Sequence, residues 1–255
     1  MASGFLQEVM QALEPMPAGA TCHMQHHCLW LELPHRTKAL CFLSFRAMQL
    51  GVITGDALVL SEDAWLRNRD AVLSRVASRL GRTRRVHARQ CVLQRVPAAQ
   101  ARAFFAQHHL MGYATAYYHY ALMYKGEAVA MAAFSKGRKM RRLEADQRSY
   151  ELVRFCNASY ITVVGGFSKL LQHFIREVHP ADIMTYIDAT WAESDAYLRQ
   201  GFRFDTQQPP RGVFIDTKTG MRIPAATNTA PPDEGCVYYE GAGNIKLIWN
   251  AQHTV

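Results

Sequence analysis

The run Val163-Val164-Gly165-Gly166-Phe167-Ser168-Lys169 joins a β-branched stretch, two glycines and the start of an amphipathic segment. Glycine lets a backbone turn sharply and approach a ligand, and the first amides of a helix have no partner within it. An end of that kind attracts phosphate, pyrophosphate or carboxylate, and Lys169 would add a fixed positive charge. Val164, Gly165, Gly166, Phe167, Ser168 and Lys169 are therefore the candidate residues for holding an anionic donor. The spacing is neither a Walker loop nor a dinucleotide turn. A tight strand–helix corner would use the same glycines.

Three other residue types bear on catalysis. Asp188 falls at the carboxyl end of a predicted buried strand, where open α/β sheets present groups to ligands, and its carboxylate could accept a proton or orient an amine. It suits a turn cap equally well. Tyr197 lies on the next short helix, where a phenol could protonate a leaving group or pack half-buried. His109 sits at a predicted helix end before Gly112, as a general base or a carbonyl cap. His109, Ser168 and Asp188 suggest a hydrolase trio, but Ser168 lacks the Gly-x-Ser-x-Gly elbow. Cys22, His23, His26, His27 and Cys28 offer zinc-type ligands at short spacing, with no second pair at finger distance.

The chain of 255 residues carries 29 Lys and Arg against 21 Asp and Glu, a formal charge of +8. That excess favours an acidic partner, of which nucleic acid is the commonest. The charge concentrates in two clusters: Arg79, Arg82, Arg84, Arg85 and Arg89, then Lys136, Arg138, Lys139, Arg141 and Arg142. With Tyr113, Tyr117, Tyr118 and Tyr120 nearby they could track DNA phosphates and stack bases; a solvated face is the plain alternative. Apolar residues at 49% exclude a disordered chain. The best apolar run, 117–134, is broken by Lys125, Gly126 and Glu127, so no membrane partner is expected. Glu8 inside the first apolar stretch argues against a secretory leader, and six irregularly spaced cysteines against a disulfide framework. The expectation is a soluble, cytoplasmic protein.

The elements that must position these residues follow from periodicity. Phe5, Leu6, Val9, Met10 and Leu13 share a helical face that Pro15 ends. Strands are expected at 28–33, 39–45, 57–60 and 86–96, with helices at 65–80 and 97–108. A hairpin at 117–134 turns on Lys125-Gly126. Strand 150–156, strand 161–164, helix 168–178, strand 183–187 and helix 193–200 then alternate. Two hairpin-like pieces close the chain, around Thr219-Gly220 and 241–243. This order predicts a small α/β domain over 1–90 and a larger one over 91–255.

Several segments together resemble a module of phage and mobile-element proteins: "SEDAWLRNRDAVLSRVASRLGRTRRVHARQC", "FFAQHHLMGY", "YELVRFCN", "VVGGFSKLL", "YIDATWAESDAYLRQGF" and "YYEGAGNIKLIWN". That module is similar to the GNAT acyltransferase fold and to phage Mom-type DNA-modification proteins, and follows homing- or Vsr-like nuclease domains. The resemblance implies a mixed sheet with flanking helices and a cleft where two central strands splay. It implies an acyl-CoA-like or other anionic donor at 164–169, a base in DNA (adenine favoured) as acceptor, iron as a metal, and His109, Ser168, Asp188 and Tyr197 as catalytic residues. It also implies that 1–90 is a degenerate nuclease-like unit. There Glu32 could hold Mg²⁺, while Cys41 stands where a second acid would be needed.

Overall fold

The computed structural model describes residues 4–34, 36–52, 54–55, 57–141, 143–144, 146–191, 194–225 and 232–251. Helix α1 (Gly4–Leu13) buries Phe5, Leu6, Val9 and Leu13. A hairpin follows, β1 (Thr21–Gln25) and β2 (Cys28–Glu32), then β3 (Leu40–Leu43). The strand expected to reach residue 45 stops at Leu43 because Ser44 caps α2 (Phe45–Gln49), its hydroxyl accepting the Ala47 N–H at 3.2 Å. After β4 (Leu58–Ser61) comes α3 (Glu62–Arg79), expected as one helix but broken at Asn68. The Asn68 side chain caps the second half through the Ala71 N–H, at 3.0 Å.

The expected strand 86–96 is two: β5 (Arg84–His87) and β6 (Val92–Arg95), separated by a 3₁₀ turn, Ala88–Gln90. Helix α4 (Ala98–His108) leads into the hairpin of β7 (Tyr118–Tyr124) and β8 (Glu127–Phe134). Then come β9 (Ser149–Asn157), β10 (Ile161–Val164), α5 (Gly166–Val178), β11 (Asp182–Asp188) and α6 (Asp195–Leu198). The chain closes with β12 (Arg203–Gln208), β13 (Val213–Asp216), β14 (Arg222–Pro224), β15 (Cys236–Tyr239) and β16 (Asn244–Asn250).

The chain divides into two compact units, both discontinuous. The first gathers Met1–Leu73, Asp188–Ala192 and Gln208–Asn244; the second gathers Ser74–Ile187, Glu193–Gln207 and Ile245–Val255. The first contains the sheet β1-β2-β3-β4 and the sheet β14-β13-β15. Cys28, Cys41, Leu43, Met48 and Val59 pack in one core with Ile215 and Val237, so late residues complete an early core. Within this unit Asp63, with no exposed surface, receives Arg222 through two contacts at 2.7 and 3.2 Å and Arg67 at 2.9 Å. The segment 241–243, expected as a hairpin, instead passes from one sheet to another, since β15 pairs with β13 and β16 lies between β12 and β11.

The second unit holds a seven-stranded mixed sheet in the order β12-β16-β11-β9-β8-β7-β6, plus a parallel pair of β10 and β5. Strand alternation explains how helices cover it. Ala121, Met131 and Ala133 meet Ala101 and Phe105 of α4. The alternate residues Tyr118, Tyr120 and Phe134 meet Phe174 of α5, whose ring stacks on Phe134 at 3.9 Å with the planes 1° apart.

Candidate functional site

The sheet itself contains an irregularity. Parallel strands β9 and β11 pair at Ser149–Asp182, Tyr150–Ile183 and Glu151–Met184; beyond these the backbone ladder ends, the Thr185 hydroxyl still donating to the Leu152 carbonyl at 3.0 Å, although both strands continue. On the other edge of β9, Ala133 faces Arg154 while Phe134 faces Leu152, leaving Val153 as an extra residue. Such a bulge bends its strand and increases the local twist. It also reverses which face each later side chain takes. Tyr150 lies on the α5 side, Cys156 packs with the α4 core, and Phe155 returns to α5, where its ring meets Phe167 at 4.9 Å.

Helix α5 thus begins beside the stretch of β9 that β11 no longer covers. Its cap, Gly165, has φ +76°, which a side chain would strain, and Lys169 N–H is the first amide to bond back, to the Gly165 carbonyl at 3.0 Å. The amides of Gly166, Phe167 and Ser168 therefore have no partner in the helix. Gly166 is required by space: a Cβ there would lie 2.9 Å from Cβ and Cγ1 of Val163, a branched side chain with little freedom. Gly166→Ala should cost about 1–3 kcal/mol by overpacking. Thermal unfolding checks this, and an unchanged midpoint would contradict it.

Val164 ends β10, pairs with His87 and is half-buried, as are Phe167 and Ser168. Lys169 does not reach outward. Its ammonium donates to the carbonyls of Ala88 and Cys91, at 2.9 and 2.7 Å, and binds the 3₁₀ turn to the first turn of α5. Phe167 also packs on Tyr197 at 5.1 Å, and Tyr197 on Phe202 at 5.8 Å. Burial, against the opposing charge of Arg75, raises the Tyr197 phenol above its ordinary value, so it stays protonated at neutral pH.

His109 caps α4, and its Nδ1 accepts the Met111 N–H at 3.1 Å, which leaves the proton on Nε2. Burial, then the charges of Arg154 and Arg75, lower its pKa to about 3. A base that weak with its lone pair occupied cannot take a proton near neutrality, so the geometry makes His109 a neutral donor. Asp188 is exposed, and its Oδ1 accepts both the N–H of Thr190, at 2.8 Å, and the Thr190 hydroxyl. It is a turn cap and belongs to the first compact unit, whereas His109, Ser168 and Tyr197 belong to the second.

In the basic clusters, Arg82, Arg84, Arg85 and Arg89 are exposed, Arg79 is half-buried, and Lys136, Arg138, Lys139 and Arg141 are exposed. Arg142 lies outside the described residues. The Cys22–Cys28 stretch is a hairpin whose turn is made by His26 and His27, at φ 48° and 61°. Glu32 is exposed and accepts the Thr21 hydroxyl, while Cys41 is buried. Among the described residues no group of three or more His, Cys, Asp or Glu gathers, so they give neither zinc nor iron a ligand set. Sequence reasoning did not single out Arg75 and Arg154, whose charges act on His109, because no motif links residues so far apart in the chain.

No protein-family model matches the chain, and a search of curated proteins finds no match. Solved structures similar to it include acetyltransferases. The ribosomal-protein-S18-alanine N-acetyltransferase from Escherichia coli is 16% identical over 65% of this chain and 98% of its own, with a TM-score of 0.41. A GNAT family acetyltransferase from Elizabethkingia anophelis, with acetyl-CoA bound, is 12% identical over 63% and 98%, with a TM-score of 0.36. A histone acetyltransferase HPA2 and related acetyltransferase from Corynebacterium glutamicum is 19% identical over 56% and 70%, with a TM-score of 0.33. The architecture is α/β, a mixed sheet with flanking helices. The comparisons give this likeness and do not extend to the Mom-type or nuclease resemblance. Among the described residues no helix is long and apolar enough to cross a membrane.

Proposed function

We propose that the chain is a transferase that takes an anionic, acyl-CoA-like donor where β9 and β11 part. The observation that carries this reading is the loss of pairing beyond Glu151 and Met184, with the bulge at Val153 and the free amides of α5 beside the uncovered strand. Amides at a helix start suit a pyrophosphate, and an uncovered strand edge suits an extended amide-bearing arm. In acyl transfer to an amine, the nitrogen bonds to the acyl carbon, the carbon–sulfur bond breaks, and the departing thiolate needs a proton. Tyr197, kept neutral by burial, supplies that proton. Calorimetric titration with CoA and with acetyl-CoA tests the reading. Saturable binding to both is expected, and binding to neither would overturn it.

A second reading, in which DNA is the acceptor, draws on the exposed Arg84, Arg85 and Arg89, carried by a strand and turn that Lys169 ties to α5. It predicts affinity for duplex DNA that falls with salt at a log–log slope of about −0.9 per phosphate contact. Salt-independent or absent DNA binding would leave the acceptor a small molecule or protein.

A further inference from the structure

Residues three apart in a regular strand take opposite faces, and the bulge at Val153 cancels that rule for Glu151 and Arg154. Tyr150 lies on the α5 side, so Glu151 lies on the α4 side. Arg154 pairs with Ala133, which packs in the α4 core, so Arg154 takes the α4 side as well. Both side chains are half-buried. The Arg154 guanidinium is fixed by its own donors, Nε to the Gly112 carbonyl at 3.1 Å and one Nη to the Val153 carbonyl at 2.9 Å. Its other Nη makes no hydrogen bond with any described residue, and the Glu151 carboxylate makes no hydrogen bond or ion pair with one. The two opposite charges thus share a face without closing on each other. One row of the ladder runs His119–Ala133–Arg154, so a single methyl separates the imidazole from the guanidinium. His119 is 4% exposed, and its Nε2 has no hydrogen-bond partner. The loop after α4 crosses this row, with the Gly112 carbonyl on Arg154 and the Tyr113 ring on His119 at 6.3 Å. Half-buried charges and a buried ring nitrogen without partners cost free energy until something completes them.

We infer that Glu151, Arg154 and His119 form a seat for a zwitterion, a small molecule that carries both an ammonium and a carboxylate. The carboxylate goes to the planar guanidinium of Arg154, with the His119 ring nitrogen beside it, and the ammonium goes to Glu151. Three residues of strand, at most about 10 Å, separate the two charged side chains at their Cα atoms, so a short amino acid reaches both as they lean together. Glu151 is the last residue of β9 in the ladder with β11, so the amine is held where the two strands part. This deepens the proposed function by naming the class of acceptor and rests on it for that role; the seat itself needs no donor.

The test titrates the whole chain with glycine, β-alanine and 4-aminobutyrate, each against its methyl ester and its N-acetyl form, and in parallel with CoA. Wild type is expected to bind at least one of the three saturably and both of its blocked forms at least tenfold more weakly. Glu151→Gln is expected to lose the preference over the N-acetyl form and keep that over the ester; Arg154→Gln is expected to do the reverse. A purely structural role for either residue would not produce that crossed pattern. Arg154 also fastens the Gly112 loop, so Glu151→Gln, whose side chain fastens nothing, decides the matter if Arg154→Gln does not fold. No binding of any of the three by wild type with normal circular dichroism, or unchanged discrimination in Glu151→Gln, overturns the proposal. Zwitterion binding without CoA binding would keep the seat and remove the acyl-transfer reading, and CoA binding without zwitterion binding would do the opposite.

Discussion

Replacing Asp63 by Ala should lower the stability of the protein by about 3–5 kcal/mol, the usual loss when one partner of a buried ion pair is removed. The carboxylate is fully buried, and both its oxygens are engaged by Arg222, with Arg67 at one of them. Without it, two partly buried guanidiniums are left with no counter-charge between them. Arg222 also donates to Ser61 at 3.3 Å and lies 5.7 Å from the centre of the Tyr239 ring, so the loss would pass to β4, β14 and β15. Urea unfolding at neutral pH measures it, and a change under about 1 kcal/mol would refute the role. The same residue gives stability a pH dependence. Burial alone would raise the Asp63 carboxyl, but Arg222, Ser61 and Arg67 outweigh it and hold the carboxyl below its ordinary value. Its contribution is therefore complete above the ordinary carboxylate value of about 4 and is lost as pH falls through the lowered one. Asp63→Ala should remove that part of the acid sensitivity.

The second large effect is on turnover. Tyr197→Phe keeps the ring that packs on Phe167 and Phe202 and removes only the hydroxyl. Loss of a positioned general acid costs roughly 10²–10⁴ in rate. Thiol release from acetyl-CoA in the presence of a primary-amine acceptor should fall by that factor, with CoA affinity unchanged. Because burial raises the phenol, wild-type activity should hold until pH exceeds the ordinary tyrosine value of about 10. Equal rates in the two proteins would exclude Tyr197 from proton transfer.

What could be read from the sequence was local. The hairpin of β7 and β8 was legible because Lys125-Gly126, at φ 51° and 86°, is a two-residue turn between alternating apolar runs. Helix α5 was legible because two glycines precede a strongly amphipathic stretch, and its start is two residues earlier than periodicity implies. The bulge at Val153 had no signature, since one extra residue in a strand changes neither composition nor local period. Lys169 looked like a free cation because its two acceptors lie far back in the chain, at Ala88 and Cys91. The role of Asp188 was open between acid and cap, and Thr190, two residues on, is the partner that makes it a cap. The return of β13–β15 to the first core was beyond local patterns, because pairing between distant segments leaves no periodic mark.

That return has a consequence for biosynthesis. Because Ile215 and Val237 fill a core opened by Cys28 and Cys41, a nascent chain that has emerged only through α5 holds an early sheet with exposed apolar surface and nothing to seal it. The ribosome must deliver most of the polypeptide before either half matures, since β16, the last strand, is also an interior member of the seven-stranded sheet. Shortening the carboxyl end before β13 would therefore injure both halves at once, and expression of such truncations should yield aggregate rather than a stable fragment.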